Sequence, residues 1–219
     1  MEQKRVLIYG DSNTHGYRVS DGLRFPKEVR WTGVCQRLLG ESFEILEEGL
    51  NGRTTCFSEP FMEFRNGFSY IQPCIRTHLP LDLVCVMLGS NDLKKEFHQS
   101  AEQIAANSAK VLGRARQVVR SKYPDSDCRY LLMAPVEISE DMTDGPFAWE
   151  FEGQTTVEKS RTFSVHFQRE AEKDDFLFFD ASRYAGPGKA DGLHLDEENH
   201  RRLGEAFAKW LRALWDGTQ

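Results

Sequence analysis

An apolar run, Val6 to Tyr9, stops at Gly10 and hands the chain to Asp11, Ser12, Asn13 and Thr14. A run that short, built from β-branched, leucine and aromatic residues, reads as a strand buried on both faces. The glycine followed by small polar residues reads as a turn. A buried strand that opens into such a turn belongs to a parallel sheet, and it leaves Ser12 exposed at the sheet's carboxyl lip, where α/β enzymes place a nucleophile.

The rest of the chain repeats the alternation. Further strand candidates are residues 43–47, 83–88, 130–134 and 176–179, with 43–47 at an edge because Glu44 and Glu47 interrupt it. Helical patterns lie between them. Residues 31–39 end at Gly40, a C-terminal stop. Residues 70–78 form a shorter helix with Pro73 expected in its first turn. Ser100 and Gln103 make a capping box, followed at helical spacing by Ile104, Ser108, Val111, Leu112, Ala115, Val118 and Val119. Thr155 and Glu158 make a second box, opening a helix towards Lys173. Asp196 caps a final helix whose apolar face holds Leu203, Phe207, Trp210, Leu211 and Leu214. Five strands alternating with helices predict one domain over residues 1–219. Its expected form is a three-layer α/β/α sandwich with a five-stranded parallel sheet in the flavodoxin-like order 2-1-3-4-5. Long loops at 17–30, 49–67 and 135–154 are where function is expected.

Composition excludes some partners. A net charge of −6 argues against a nucleic-acid surface or an anionic membrane, and no apolar run is long enough to span a bilayer. The first residues run straight into a strand without an apolar signal region, so a cytoplasmic location is expected. Cysteines at 35, 56, 74, 85 and 128 are odd in number and lack CxxC spacing. They read as reduced, mostly buried thiols rather than disulfides or zinc ligands.

Ser12, Gly52, Asn91, Asp191 and His194 each follow a predicted strand, at the edge where open α/β sheets bind ligands. Among histidines 15, 78, 98, 166, 194 and 200, only His194 has an aspartate three residues earlier in a glycine-containing loop. Asp191 can orient its Nδ1 and leave Nε2 to face Ser12. His200 has Glu197 at the same spacing, but inside a helix. The Ser12 and Gly52 amides and the Asn91 side chain can supply oxyanion donors, and Asp11 is expected to fix the serine loop through backbone bonds. Each residue also has a plainer reading. Asp191 and His194 could be a loop turn, Gly52 a turn glycine, and Asn91 with Asp92 a strand-closing turn. The substrate pocket is assigned to His15, at its mouth, and to Trp31, Phe97 and Phe147, from the aromatic loops.

With these residues in place, the chain resembles the GDSL/SGNH hydrolases. Gly10, Asp11 and Ser12 match their first block, Gly52 the second, Gly89 with Asn91 the third, and Asp191 with His194 the last. The likeness extends to a subgroup of aryl esterases and acyltransferases through residues 29–33, 47–55 and 77–84. The resemblance implies an acylated serine, an Asp–His base, an oxyanion hole completed by Gly and Asn, and neither metal nor cofactor. It also implies a small-molecule ester substrate with a short acyl group, acyl transfer to alcohols, and a homo-oligomer whose loops narrow the entrance. Asn13 replaces the leucine of the family name, and His15 stands where the subgroup tends to carry Trp. Two other readings compete: a flavodoxin-like phosphate- or nucleotide-binding module using residues 12–14, and a receiver domain using Asp11 and Asp92.

Overall fold

The computed structural model describes residues 3–59 and 61–217. Strands β1 (Lys4–Gly10), β2 (Phe43–Gly49), β3 (Leu83–Met87), β4 (Arg129–Ala134) and β5 (Leu177–Asp180) form one parallel sheet in the order β2-β1-β3-β4-β5. That is the expected order, with β2 at the edge, where Glu44 reaches solvent and Glu47 is held by Arg24, Arg30 and Thr32. Gly10 pairs with Gly49 on one side and Met87 on the other, so three strands end level. The loops that follow them therefore open onto a single surface.

The helices are α1 (Ser12–His15), α2 (Trp31–Leu39), α3 (Gly67–His78), α4 (Ala101–Lys122), α5 (Gln154–Arg161), α6 (Phe163–Asp174) and α7 (Glu197–Asp216). The sheet divides two apolar cores, and alternation along each strand assigns residues to them. Leu7, Tyr9, Val84 and Val86 face α3, α4 and α6, whereas Val6, Ile8, Leu83, Cys85 and Met87 face α2 and α7. Every residue of β3 is buried, which explains the unbroken apolar sequence of a strand covered on both faces.

Local signals hold at most helix ends. The Ser100 hydroxyl accepts from the Gln103 amide at 3.2 Å and the Gln103 side chain accepts from the Ser100 amide at 2.9 Å, completing the capping box. Asp196 caps α7 by accepting from the Asn199 amide at 2.9 Å.

Two helices depart from expectation. Helix α3 starts at Gly67, capped by Asn66, so Pro73 lies in its interior rather than its first turn. Pro73 is exposed, and the carbonyl it leaves without a donor lies on the solvent side. The box at Thr155 and Glu158 does not form. Helix α5 begins after Gly153, and the Thr156 hydroxyl instead accepts from the Glu152 amide at 3.0 Å. The expected single helix breaks at Thr162, which closes α5 and opens α6. Ser160 and Thr162 donate back to the carbonyls of Val157 and Lys159 at 2.7 and 2.8 Å, competing with the helical ladder.

Candidate active site

The serine turn is shaped by the lack of side chains beneath it. A Cβ on Gly10 would lie 2.1 Å from the Thr14 hydroxyl, and one on Gly49 would lie 2.1 Å from the His15 amide nitrogen. Glycine at the ends of β1 and β2 lets α1 sit directly on the sheet edge. Asp11 holds its start by accepting from the Asn13 amide at 3.0 Å, as its place in the sequence implied. Burial lifts the Asp11 pKa to about 6, against the pull of the Asn13 amide and of His194.

The loop before α7 carries the partners. One oxygen of Asp191 accepts from the amides of Leu193 and His194, both at 2.9 Å, which fixes the carboxylate. Its other oxygen lies 2.5 Å from His194 Nδ1, and His194 Nε2 lies 2.9 Å from Ser12 Oγ. Burial opposes the charge on Asp191, but the bonds from His194 and the backbone outweigh it and hold the carboxyl below its ordinary range. The imidazole thus carries its proton on Nδ1 and turns its lone pair to the serine.

Asn13, the residue that departs from the family name, joins the two loops. Its side-chain nitrogen donates to the Leu193 carbonyl at 3.2 Å, and its oxygen accepts from the Leu195 amide at 2.9 Å. Both loops are therefore set by one buried amide, in a place where leucine would leave two backbone groups unpaired.

Opposite the histidine, Gly52 turns the chain with φ +74°. The amides of Ser12 and Gly52 have no protein acceptor among the described residues. The Asn91 side chain donates one hydrogen to the Arg53 carbonyl at 3.1 Å and keeps a second for a ligand. Arg53 is buried, donates to the carbonyls of Gly10 (2.9 Å) and Glu48, and lies 4.0 Å above the Tyr9 ring. It ties the serine strand to the Gly52 turn. Asp92, next to Asn91, accepts from the Thr55 amide at 3.0 Å and from its hydroxyl, and burial pushes its pKa up to about 7.

These groups border a cavity of about 260 Å³ whose lining includes Ser12, Tyr17, Asn51, Gly52, Arg65, Asn91, Lys94, Phe147, Glu150, Phe151 and His194. Phe147 stands in the wall as expected, its ring edge-on to His194 at 5.6 Å. The other pocket assignments need correction. Trp31 is fully buried against Phe207 and donates from Nε1 to the Asn13 carbonyl at 3.1 Å, so it supports the serine turn from behind. Phe97 stacks on Phe57 at 4.8 Å outside the lining. His15 closes α1 beside Gly49 and is likewise outside it; burial and nearby Arg24 lower its pKa.

Sequence reasoning missed the polar wall. Lys94 Nζ lies 3.1 Å from Glu59 and 2.7 Å from Glu150, and Arg65 binds the other oxygen of Glu59 at 2.7 Å. These partners come from three separate loops, and no local pattern links them. Tyr17, whose ring centroid is 4.7 Å from that of His194, was missed for the same reason.

A parallel sheet whose carboxyl edge carries a serine, a histidine and an aspartate in hydrogen-bonded series defines a serine hydrolase site on a flavodoxin-like scaffold. The sequence pattern of the GDSL-like lipase/acylhydrolase family matches residues 8–202, and the chain belongs to this family. Solved structures agree. The chain is similar to Est24, a carbohydrate acetylesterase from Sinorhizobium meliloti, with 35% identity and TM-score 0.88 over 97% of this chain and 100% of that one. It is similar to the M. smegmatis aryl esterase with 36% identity and TM-score 0.87, covering 96% and 99% of the two chains. A G-D-S-L family lipolytic protein from Veillonella parvula shares the fold at 15% identity and TM-score 0.65, over 94% and 97%. No curated protein matches the sequence. Family and neighbours together make the chain a serine esterase, and the phosphate-binding reading is not favoured.

Proposed function

We propose that Ser12 is the nucleophile of this esterase, His194 its general base and Asp191 the group that orients the base. The observation that carries the assignment is the continuous series from Asp191 through His194 to Ser12, at 2.5 and 2.9 Å. His194 Nε2 takes the proton as Ser12 Oγ attacks the ester carbonyl carbon. The carbonyl oxygen gains charge facing the Ser12 and Gly52 amides and Asn91 Nδ2. Collapse breaks the bond to the alcohol oxygen, which receives the proton from His194 and leaves an acyl-enzyme. Water or a second alcohol, deprotonated by the same imidazole, then removes the acyl group.

The substrate is an ester with a small acyl group, acetyl or close to it. A cavity of about 260 Å³ bordered by Phe147, Phe151 and Tyr17 is at the small end for a ligand site and supports a small ester. Two similar proteins, an acetylesterase and an aryl esterase, support the same reading. Aromatic walls also disfavour water, so acyl transfer to a bound alcohol accompanies hydrolysis. The five cysteines are free, in keeping with a reducing cytoplasm, and among the described residues no helix is long and apolar enough to cross a membrane.

Phe61, Trp149 and Phe64 are 91%, 71% and 56% exposed. Aromatics at such exposure are enriched in subunit interfaces, and they support a homo-oligomer assembled around the entrance. Light scattering at micromolar concentration checks this, with a multimer expected. A fluorophosphonate probe tests the catalytic assignment: it should label Ser12 stoichiometrically in the native protein and fail after Ser12→Ala. Labelling elsewhere, with Ser12→Ala fully active, would remove Ser12 from the chemistry.

A further inference from the structure

Helix α3 carries Cys74 and His78 four residues apart, on one face, packed against the end of β2 where Glu48 stands. The cysteine sulfur, a histidine nitrogen and a carboxylate oxygen of these three residues all lie within 4.8 Å of one another. His78 Nε2 is 2.8 Å from Glu48 Oε1. None of the three lines the cavity at Ser12. Cys74 is buried, whereas the side chains of His78 and Glu48 remain 25% and 22% exposed, so an ion can enter from solvent and keep a water ligand.

We propose that Cys74, His78 and Glu48 bind one zinc-like divalent cation, at a site separate from the ester-cleaving centre. Thiolate, imidazole and carboxylate together form the borderline donor set that suits Zn²⁺ and is poor for Mg²⁺ or Ca²⁺. Bonds of about 2.0–2.3 Å in a tetrahedron place donors roughly 3.3–3.8 Å apart. Reaching that spacing from the present one takes side-chain shifts of about 1 Å. Binding replaces the thiol proton: Cys74 S–H gives up H⁺ to solvent as the S–metal bond forms, while Glu48 and neutral His78 coordinate without other change. Two anionic ligands balance the ion's charge. The nearby Arg53 guanidinium is already held by the carbonyls of Gly10 and Glu48 and by the faces of Tyr9 and Tyr70. The ion would clamp α3 to β2 at the root of the loop that carries Gly52. This assigns one of the five cysteines the ligand role that its sequence spacing argued against. The missing partner is Glu48, which is 26 residues before Cys74 in sequence and is brought beside it by the β2–α3 packing.

Cobalt is the probe. Chelator-treated protein titrated with Co²⁺ should take up one equivalent, with tetrahedral visible bands and a thiolate-to-cobalt charge-transfer band in the near ultraviolet, both bleached by added Zn²⁺. Cys74→Ser should abolish the charge-transfer band, and Cys56→Ser, which alters a half-buried thiol elsewhere, should leave it intact. His78→Gln should weaken Co²⁺ binding by more than about 100-fold, beyond the loss expected for an outer partner. Zn²⁺ should raise the Tm of the unaltered protein by several degrees and leave that of Cys74→Ser unmoved. A spectrum without sulfur ligation in the unaltered protein overturns the proposal. So does a charge-transfer band that survives Cys74→Ser, or unchanged affinity in His78→Gln.

Discussion

At the residue scale the proposed mechanism divides the chemistry among four side chains and two amides, and the losses of nucleophile and base should not add. Ser12→Ala and His194→Ala should each lower kcat by several orders of magnitude while leaving the far-ultraviolet spectrum unchanged. The double variant should be scarcely worse than either, because nucleophile and base act as one unit. Additive losses would mean that the two groups work independently. Asn91 acts at a different stage. With its free amide hydrogen in the proposed oxyanion-stabilising role, Asn91→Ala should lower kcat by roughly 10²–10³-fold with KM little changed. A rise in KM at constant kcat would make Asn91 a ground-state binding group instead. Ser12, His194, Asp191 and Asn91 were legible in the sequence because each sits in a short turn that follows a strand. Asn13 was visible there only as a departure. That its amide clamps the histidine loop depends on contacts with Leu193 and Leu195, 180 and 182 residues away.

Between elements, the walls of the cavity hang on Lys94. Its ammonium is nearly buried and is shared by Glu59 from the loop after β2 and Glu150 from the loop after β4. Phe147 and Phe151 flank Glu150, so this ion pair sets how far the aromatic wall stands from Ser12. Lys94→Met should release that wall and raise kcat/KM for octanoyl relative to acetyl esters by about tenfold. Admitting two further methylenes at about 0.8 kcal/mol each accounts for that factor. Glu150→Gln, which keeps the shape but removes the charge, should shift the ratio in the same direction by less. A ratio unchanged in both variants would show that the wall is held by its apolar packing alone. The helix ends show the limit of local reading. Ser100 and Asp196 cap as their sequences imply, whereas the Thr155 box is overridden because Thr156, Ser160 and Thr162 spend their hydroxyls on nearby backbone.

For the whole molecule, two buried acids beneath the site make stability depend on pH. Asp92 has a folded pKa of about 7 and Asp11 of about 6, both above the ordinary 3.8. Between pH 4 and 7 the folded protein therefore keeps protons that the unfolded chain releases, so these groups stabilise the fold at acid pH and lose that contribution as pH rises. Asp191 works in the opposite sense. Its lowered pKa contributes stability above the ordinary carboxylate range, which is lost on further acidification. The protein should accordingly resist urea better near pH 5 than near pH 8. Asp92→Asn keeps an acceptor for the Thr55 amide and hydroxyl but cannot ionise, so it should shrink that difference by about 2–4 kcal/mol. Equal pH dependence in the variant and the parent would show that the Asp92 charge is compensated elsewhere.

The strands themselves and the serine, asparagine and histidine turns follow from the chain's own patterning, because burial on both faces demands unbroken apolar runs and tight turns favour glycine and small polar residues. The sequence by itself thus determined the elements of the scaffold and the candidate catalytic groups displayed along its edge. Which aromatic meets the substrate was decided only by tertiary structure. Trp31 and Phe147 are equally apolar on paper, yet one packs between α2 and α7 and the other beside His194. The same holds for the Lys94 wall and for the cluster of Glu48, Cys74 and His78. A polar side chain carries no mark of its partner when that partner comes from another loop or layer, and only the folded chain brings their charges within bonding distance.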